Sequence, residues 1–242
     1  MKNKSYIGIA FIVLIFGIYT VPKVIDRFTT DDLDAVDKSS IKDKGLRKHD
    51  IKESKSRKGT PLFAYTQVPP FEFINQHGKT ITNESYNGKV YVVEFFFTTC
   101  PTICPIMNRK MVKIQNAFEG NDGVGFASIS INPKYDTPEV LTEYAEKYGI
   151  TSPNWHMLTG KTQNTVYTLA NDGFKLYAGE AGEEVGGFEH SGLFALIDQN
   201  GTIRSRVDEN GNPILYYRAL DEHNMGDQIN ELIEDINVLL DE

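Results

Sequence analysis

Cysteine is scarce in this chain: two residues, Cys100 and Cys104, among 242. That count excludes a disulfide-stapled scaffold, and at this length the core needs no staple. Basic clusters are missing from residue 61 onward. Residues 1–60 hold 13 of the 25 Lys+Arg and 8 of the 33 Asp+Glu, net +5, which leaves 12 against 25, net −13, for residues 61–242. A globular part this acidic speaks against nucleic acid as partner, because phosphate contacts need clustered Lys and Arg. It tolerates a basic protein partner or a cation. Long apolar runs are also absent, with one exception near the start.

That exception is Tyr6–Val21, which carries no charge. As a helix it covers about 24 Å, close to the ~30 Å of a hydrocarbon core once Tyr6, Tyr19 and Lys23 serve as interfacial anchors. No Ala-x-Ala-like pair follows it and no lipoprotein cysteine lies in it, so residues 1–25 read as an uncleaved transmembrane anchor. Lys2 and Lys4 predict a single-pass, N-terminus-inside orientation. The domain would then face the periplasm or cell exterior from a bacterial inner membrane. Residues 26–60 are dense in Asp, Lys, Ser and Thr without apolar periodicity, the composition of a disordered tether. His49 falls in it and reads as a solvated side chain.

The compact domain spans 61–242. Phe71–Ile74 and Lys79–Thr82, joined by Asn75-Gln76-His77-Gly78, predict a β-hairpin with His77 at the turn. Tyr91–Phe97 is a buried strand that runs into Thr98-Thr99-Cys100-Pro101-Thr102-Ile103-Cys104-Pro105, and a helix follows from Pro105 to Phe118. Its buried stripe is expected at Ile106, Met111 or Arg109, Ile114 and Phe118. A second strand, Val124–Ile131, must lie parallel to the first with a right-handed crossover. Thr137 caps a helix that has Pro138 at its first position and ends at Gly149. A strand at Trp155–Leu158 and a helix at Thr162–Ala170 come next. A hairpin through Asn200-Gly201 joins Gly192–Asp198 to Thr202–Val207. The last helix, Met225–Leu240, carries Ile229, Leu232, Ile233, Ile236 and Leu239-Leu240 on one face. The sum is an α/β domain, a mixed sheet flanked by helices with an extra N-terminal hairpin. A dithiol after the first βαβ strand makes the arrangement thioredoxin-like.

Both cysteines sit at a strand-to-helix turn, where free amides and the helix dipole favour thiolates. Thiolates attack disulfides and also bind soft ions such as Cu(I). The four-residue spacing brings both Cβ atoms to one side, about 6 Å apart at Cα, able to close a disulfide or span one metal ion. A redox dithiol needs nothing more. A metal site wants a third donor, and the candidates are several. His190 lies in the glycine-rich loop Gly186-Gly187-Phe188-Glu189-His190-Ser191-Gly192, mobile enough to close on a distant site. His156, between Trp155 and Met157, reads as a core histidine, His223 as exposed, and Met107 and Met111 as core packing.

With these motifs in view the sequence closely resembles the Sco/SenC family of membrane-anchored copper chaperones. The matching pieces are the aromatic strand entering Thr99–Pro105, the Asp136-Thr137-Pro138-Glu139-Val140 helix opening, and Glu189-His190-Ser191 ahead of Leu193–Asp198. The resemblance implies a thioredoxin-like domain binding one copper, as Cu(I) or Cu(II), through Cys100, Cys104 and His190. It also implies a role in assembling the dinuclear copper centre of cytochrome c oxidase. The expected partner is the copper-accepting oxidase subunit, with another copper carrier or thiol reductant upstream. Some members of the family are thiol–disulfide reductants, so Cys100 and Cys104 acting as a redox dithiol on a partner's cysteines is the alternative function. Three departures stand out: Asn132 replaces the first carboxylate of the family's Asp-Pro-x-x-Asp-Thr-Pro segment, Thr99 replaces a common histidine, and residues 208–223 form a longer segment than usual.

Overall fold

The computed structural model describes residues 61–221 and 225–242, together with Phe16. The expected anchor (Phe16 aside), the tether with His49, and His223 lie outside the described residues. Among the described residues no helix is long and apolar enough to cross a membrane.

The strands are β1 (Phe63–Gln67), β2 (Glu72–Asn75), β3 (Thr80–Thr82), β4 (Val90–Phe96), β5 (Val124–Ser130), β6 (Trp155–Thr159), β9 (Leu193–Ile197) and β10 (Thr202–Ser205), in the sheet order β1-β10-β9-β4-β5-β6-β2-β3. A short β11 (Tyr217–Arg218) pairs with β9, while β7 (Ala178–Glu180) and β8 (Phe188–His190) form a separate antiparallel pair. The helices are α1 (Cys104–Ala117), α2 (Pro138–Tyr148), α3 (Gln163–Thr168) and α4 (Ile229–Leu240).

β4 is the axis of the domain. Its seven residues are all buried, as are those of β5, to which it is parallel from Val90↔Val124 to Phe96↔Ser130. A strand covered on both faces needs a continuous apolar run, which Tyr91–Phe96 supplies apart from Glu94. Burying each large side chain contributes about 1.5–3 kcal/mol, so this strand is a costly place to disturb. The crossover through α1 sets the dithiol at the C-terminal end of β4.

The N-terminal hairpin forms as expected, with Phe73 opposite Ile81. Thr137 Oγ1 accepts from the Val140 amide, and Gly149 closes α2 in the left-handed region, φ 70°. Other expectations need correction. Along α1 the buried stripe is Cys104, Met107, Asn108, Met111, Ile114 and Gln115, while Ile106 is exposed. The helix begins at Cys104, so the 3.6-residue period starts from a thiol rather than from Ile106. The last helix starts at Ile229 rather than Met225. Gly226 has φ 70°, and the Gln228 amide donates to the Arg218 carbonyl, which holds the approach to the helix open. β1, β7, β8 and β11 were not expected at all.

The described part of the longer segment, residues 208–221, is anchored to this frame. Tyr217 on β11 donates its hydroxyl to buried Asp235 on α4 at 2.6 Å, and Arg206 forks onto the same carboxylate at 2.8 and 2.9 Å. Tyr217 and Arg218 thereby stand beside Phe194 and Leu193 of β9.

Candidate metal centre

Phe97 leaves the end of β4, and the Cys100 amide donates back to its carbonyl at 3.3 Å, which folds the turn. Ile103 caps α1, so Cys104 is the first helical residue and Pro105 the second, where its missing N–H costs nothing. Cys100 and Cys104 are both free and buried.

The third group arrives from the other side of the chain. His190 ends β8 and is 5% exposed. Its expected place in a mobile glycine-rich loop is therefore wrong: β8 pairs with β7, with His190 opposite Ala178. Two αL glycines, Gly186 at φ 88° and Gly187 at φ 84°, turn the chain tightly into β8 instead of leaving it loose. His190 Nε2 lies 3.0 Å from Cys104 Sγ, and the ligand atoms of Cys100, Cys104 and His190 all lie within 4.8 Å of one another. His190 Nδ1 is 3.1 Å from the Ser191 carbonyl, which can only accept, so Nδ1 carries the proton. The Nε2 lone pair then points at the sulfurs. Such an orientation is typical of ligating imidazoles. Phe97 packs edge-on against both the His190 and Phe188 rings.

The two sulfurs differ electrostatically. The Cys104 side chain draws the Cys100 thiol down to about 3 against the cost of its burial, with help from the His190 side chain and the Cys104 amide. Burial pushes the Cys104 thiol far up. The environment therefore favours the thiolate at Cys100 and the protonated thiol at Cys104. Two sulfurs and one imidazole nitrogen are the donor set a soft cation selects.

A buried carboxylate holds the turn in place. Asp136 accepts from the Thr98 amide at 3.2 Å, from the Thr98 hydroxyl, and from Ser130 Oγ at 2.5 Å. Its backbone amide donates to the Asn132 carbonyl. Asn132, the departure from the family segment, thus contributes its main chain to the loop, while Thr99 is exposed. Of the other sequence candidates, His156 bonds Asn75 at 3.3 Å and packs edge-on against Tyr86, His77 is exposed, and Met107 and Met111 are core. None joins the centre.

Sequence reasoning missed Glu94, buried in β4. It accepts from Ser128 Oγ at 2.6 Å, and its Oε2 has no partner. The charged residue inside an apolar strand was the available signal. Burial pushes its carboxyl up from 4.5 to about 7. The folded value exceeds the unfolded one, so the stability linked to it is full below the unfolded pKa and is lost as pH rises towards about 7. Glu94→Gln is expected to remove about 3 kcal/mol of that pH dependence, read from urea unfolding of both proteins at acid and neutral pH. Parallel curves would show that the carboxyl is not buried neutral.

Gly186 abuts the turn: a Cβ there would lie 2.9 Å from Phe97 Cε2 and 3.1 Å from Pro101 Cδ, at φ 88°. Gly186→Val is expected to cost about 2–3 kcal/mol in thermal unfolding and to weaken metal binding, because β8 carries His190. An unchanged melting curve and affinity would show that the close approach is not needed.

A central mixed sheet with a βαβ-borne dithiol, completed by a histidine from a second small sheet, defines a thioredoxin-like protein with a three-donor site for a soft metal. A family model described as SCO1/SenC matches residues 60–224, and the chain belongs to the SCO1/SenC family. It is 35% identical over 139 residues to the SCO1 protein homolog of Bacillus subtilis, covering 57% of this chain and 71% of that protein. The crystal structure of a SCO1/SenC family lipoprotein from Bacillus anthracis is similar at a TM-score of 0.62 and 29% identity, covering 72% of this chain and 95% of that one. The structure of BsSco, described as a member of the Sco family of cytochrome c oxidase assembly proteins with a disulfide switch, is similar at a TM-score of 0.60 and 29% identity, covering 74% and 95%.

Proposed function

We propose that the chain is a copper chaperone: it holds one copper ion at Cys100, Cys104 and His190 and passes it on during assembly of cytochrome c oxidase. The observation that carries this reading is the convergence of two buried sulfurs and one oriented imidazole within 4.8 Å. Family membership supplies the metal and the setting, since the similar BsSco belongs to a family of oxidase assembly proteins. Copper is the cargo, and the chain's own groups prepare its arrival and departure. Cys100 offers a thiolate, Nε2 of His190 offers a lone pair, and Cys104 gives up its proton when it becomes a ligand. Oxidation of the two thiols to a disulfide would withdraw both sulfur donors and release the ion. The recipient on this reading is the copper-accepting subunit of the oxidase. The uncharged run Tyr6–Val21 supports a membrane anchor that keeps the domain on the outer side of a bacterial inner membrane.

The test is copper loading of the reduced chain and of His190→Ala. The reading expects about one copper per wild-type chain and a sharply weaker Cu(II) form in the variant. Equal binding of both oxidation states by the two proteins would show that His190 is not a ligand.

A further inference from the structure

A groove of about 810 Å³ opens directly beside the metal centre, with Cys100 and His190 in its wall. Its sides are apolar, formed by Ile103, Val185, Leu193 and Leu220 among others. Two charged residues line it, Glu189 and Arg218. Glu189 is exposed, on the strand that carries His190. Arg218 is half-buried, and its Nε donates to the Gly226 carbonyl at 3.3 Å. Among the described residues no carboxylate pairs with its guanidinium, unlike Arg204 and Arg206, which are both ion-paired. In a domain of net charge −13 from residue 61 onward, an arginine in the wall of the metal groove with no ion-pair partner among the described residues is a specific feature.

The backbone of the groove wall is equally specific. Residues 188–193 line it without a break. The Gly187 carbonyl accepts from the Ala181 amide and the Ser191 amide donates to the Tyr177 carbonyl, so alternate residues of this stretch bond towards β7. Strand alternation then turns the peptide groups of Phe188 and His190 away from β7. No further strand pairs with β8 among the described residues. An edge strand of this kind is a template for an added strand.

We propose that this groove is the docking site for an extended segment of the copper acceptor. The segment lies along the outer edge of β8 and places an acidic side chain on the Arg218 guanidinium, which brings the acceptor's own metal ligand to Cys100 and His190. The proposal rests on the copper-carrier reading and specifies the partner's chemistry: an acidic, extended peptide with a soft donor near the carboxylate. A bidentate guanidinium–carboxylate pair fixes direction and register as well as adding affinity. That matters for handing over an ion, because the donor atoms must meet within bonding distance.

The test uses the reduced chain, copper-free and copper-loaded, with fluorescein-labelled decapeptides carrying one Met and, two residues away, Glu, Gln or Lys. Fluorescence anisotropy is expected to give about tenfold tighter binding of the Glu peptide than of its Gln twin. Arg218→Gln should erase that preference, and Arg218→Glu should reverse it in favour of the Lys peptide, an outcome only a folded groove can give. Equal affinity for the Glu and Gln peptides on wild type, or an unchanged preference in Arg218→Gln, overturns the proposal. So does tighter binding of the Lys peptide by wild type. Copper stoichiometry is measured on the same samples. Normal copper uptake without peptide discrimination removes the docking proposal alone, and discrimination without copper uptake removes the carrier reading alone.

Discussion

Cys104→Ser is expected to abolish copper retention, lowering affinity for Cu(I) by at least about a hundredfold in competition with a chelator of known strength. Cys104 is fully buried, its sulfur is 3.0 Å from His190 Nε2, and it opens the helix that fixes the turn. Losing an outer-shell partner of a metal ligand already costs ten- to a hundredfold, and a thiolate donor to a soft ion costs more. Serine is nearly isosteric, so the variant should fold, which a thermal melt would verify. The loss is then chemical rather than structural. Burial favours the protonated Cys104 thiol, and a thiol must lose its proton to become a ligand, so wild-type affinity is expected to rise with pH. A Cys104→Ser protein that competes for copper like wild type would remove Cys104 from the centre.

Asp136→Ala carries the largest expected effect on stability. Its carboxylate receives the Thr98 amide, the Thr98 hydroxyl and the Ser130 hydroxyl, all in a buried place. Alanine leaves these donors without partners, at about 1–3 kcal/mol for each group that water does not reach. A total of about 3–4 kcal/mol is expected, read from denaturant midpoints at constant m-value. Thr98 stands two residues before Cys100, so the same variant should also misplace the first thiol and weaken copper binding. Asp136→Asn keeps part of the acceptor capacity and should fall between the two. If Asp136→Ala lost stability but bound copper as tightly as wild type, the carboxylate would hold the loop without positioning the site.

Much of this was legible in the sequence, for identifiable reasons. β4 announced itself because a strand covered on both faces reads as an unbroken apolar run. Thr137-Pro138 and Gly149 bounded α2 by capping chemistry that does not depend on tertiary contacts. The dithiol was visible because there are no other cysteines to confuse it. The errors arose where packing overrides pattern. The buried stripe of α1 includes Asn108 and Gln115, whose amides bond Tyr144, the Cys104 carbonyl and the Gly149 carbonyl, so polar letters hid a core face. β7 and β8 are three residues each, and Gly186 and Gly187 stand just ahead of β8, so both strands fall below what periodicity can detect. His190 was therefore named as a ligand through family resemblance, while its rigid strand setting emerged only from the structure. β1 and β11 depend on edges offered by β10 and β9, partners far away in the chain.

The most direct measurement is metal loading of the reduced chain with thiols counted before and after, alongside the disulfide-oxidised chain. The account predicts two reactive thiols falling to none as about one copper is bound, and no retention of copper by the oxidised chain. Copper bound equally well by the oxidised chain, or two thiols still reactive in the loaded one, would contradict it.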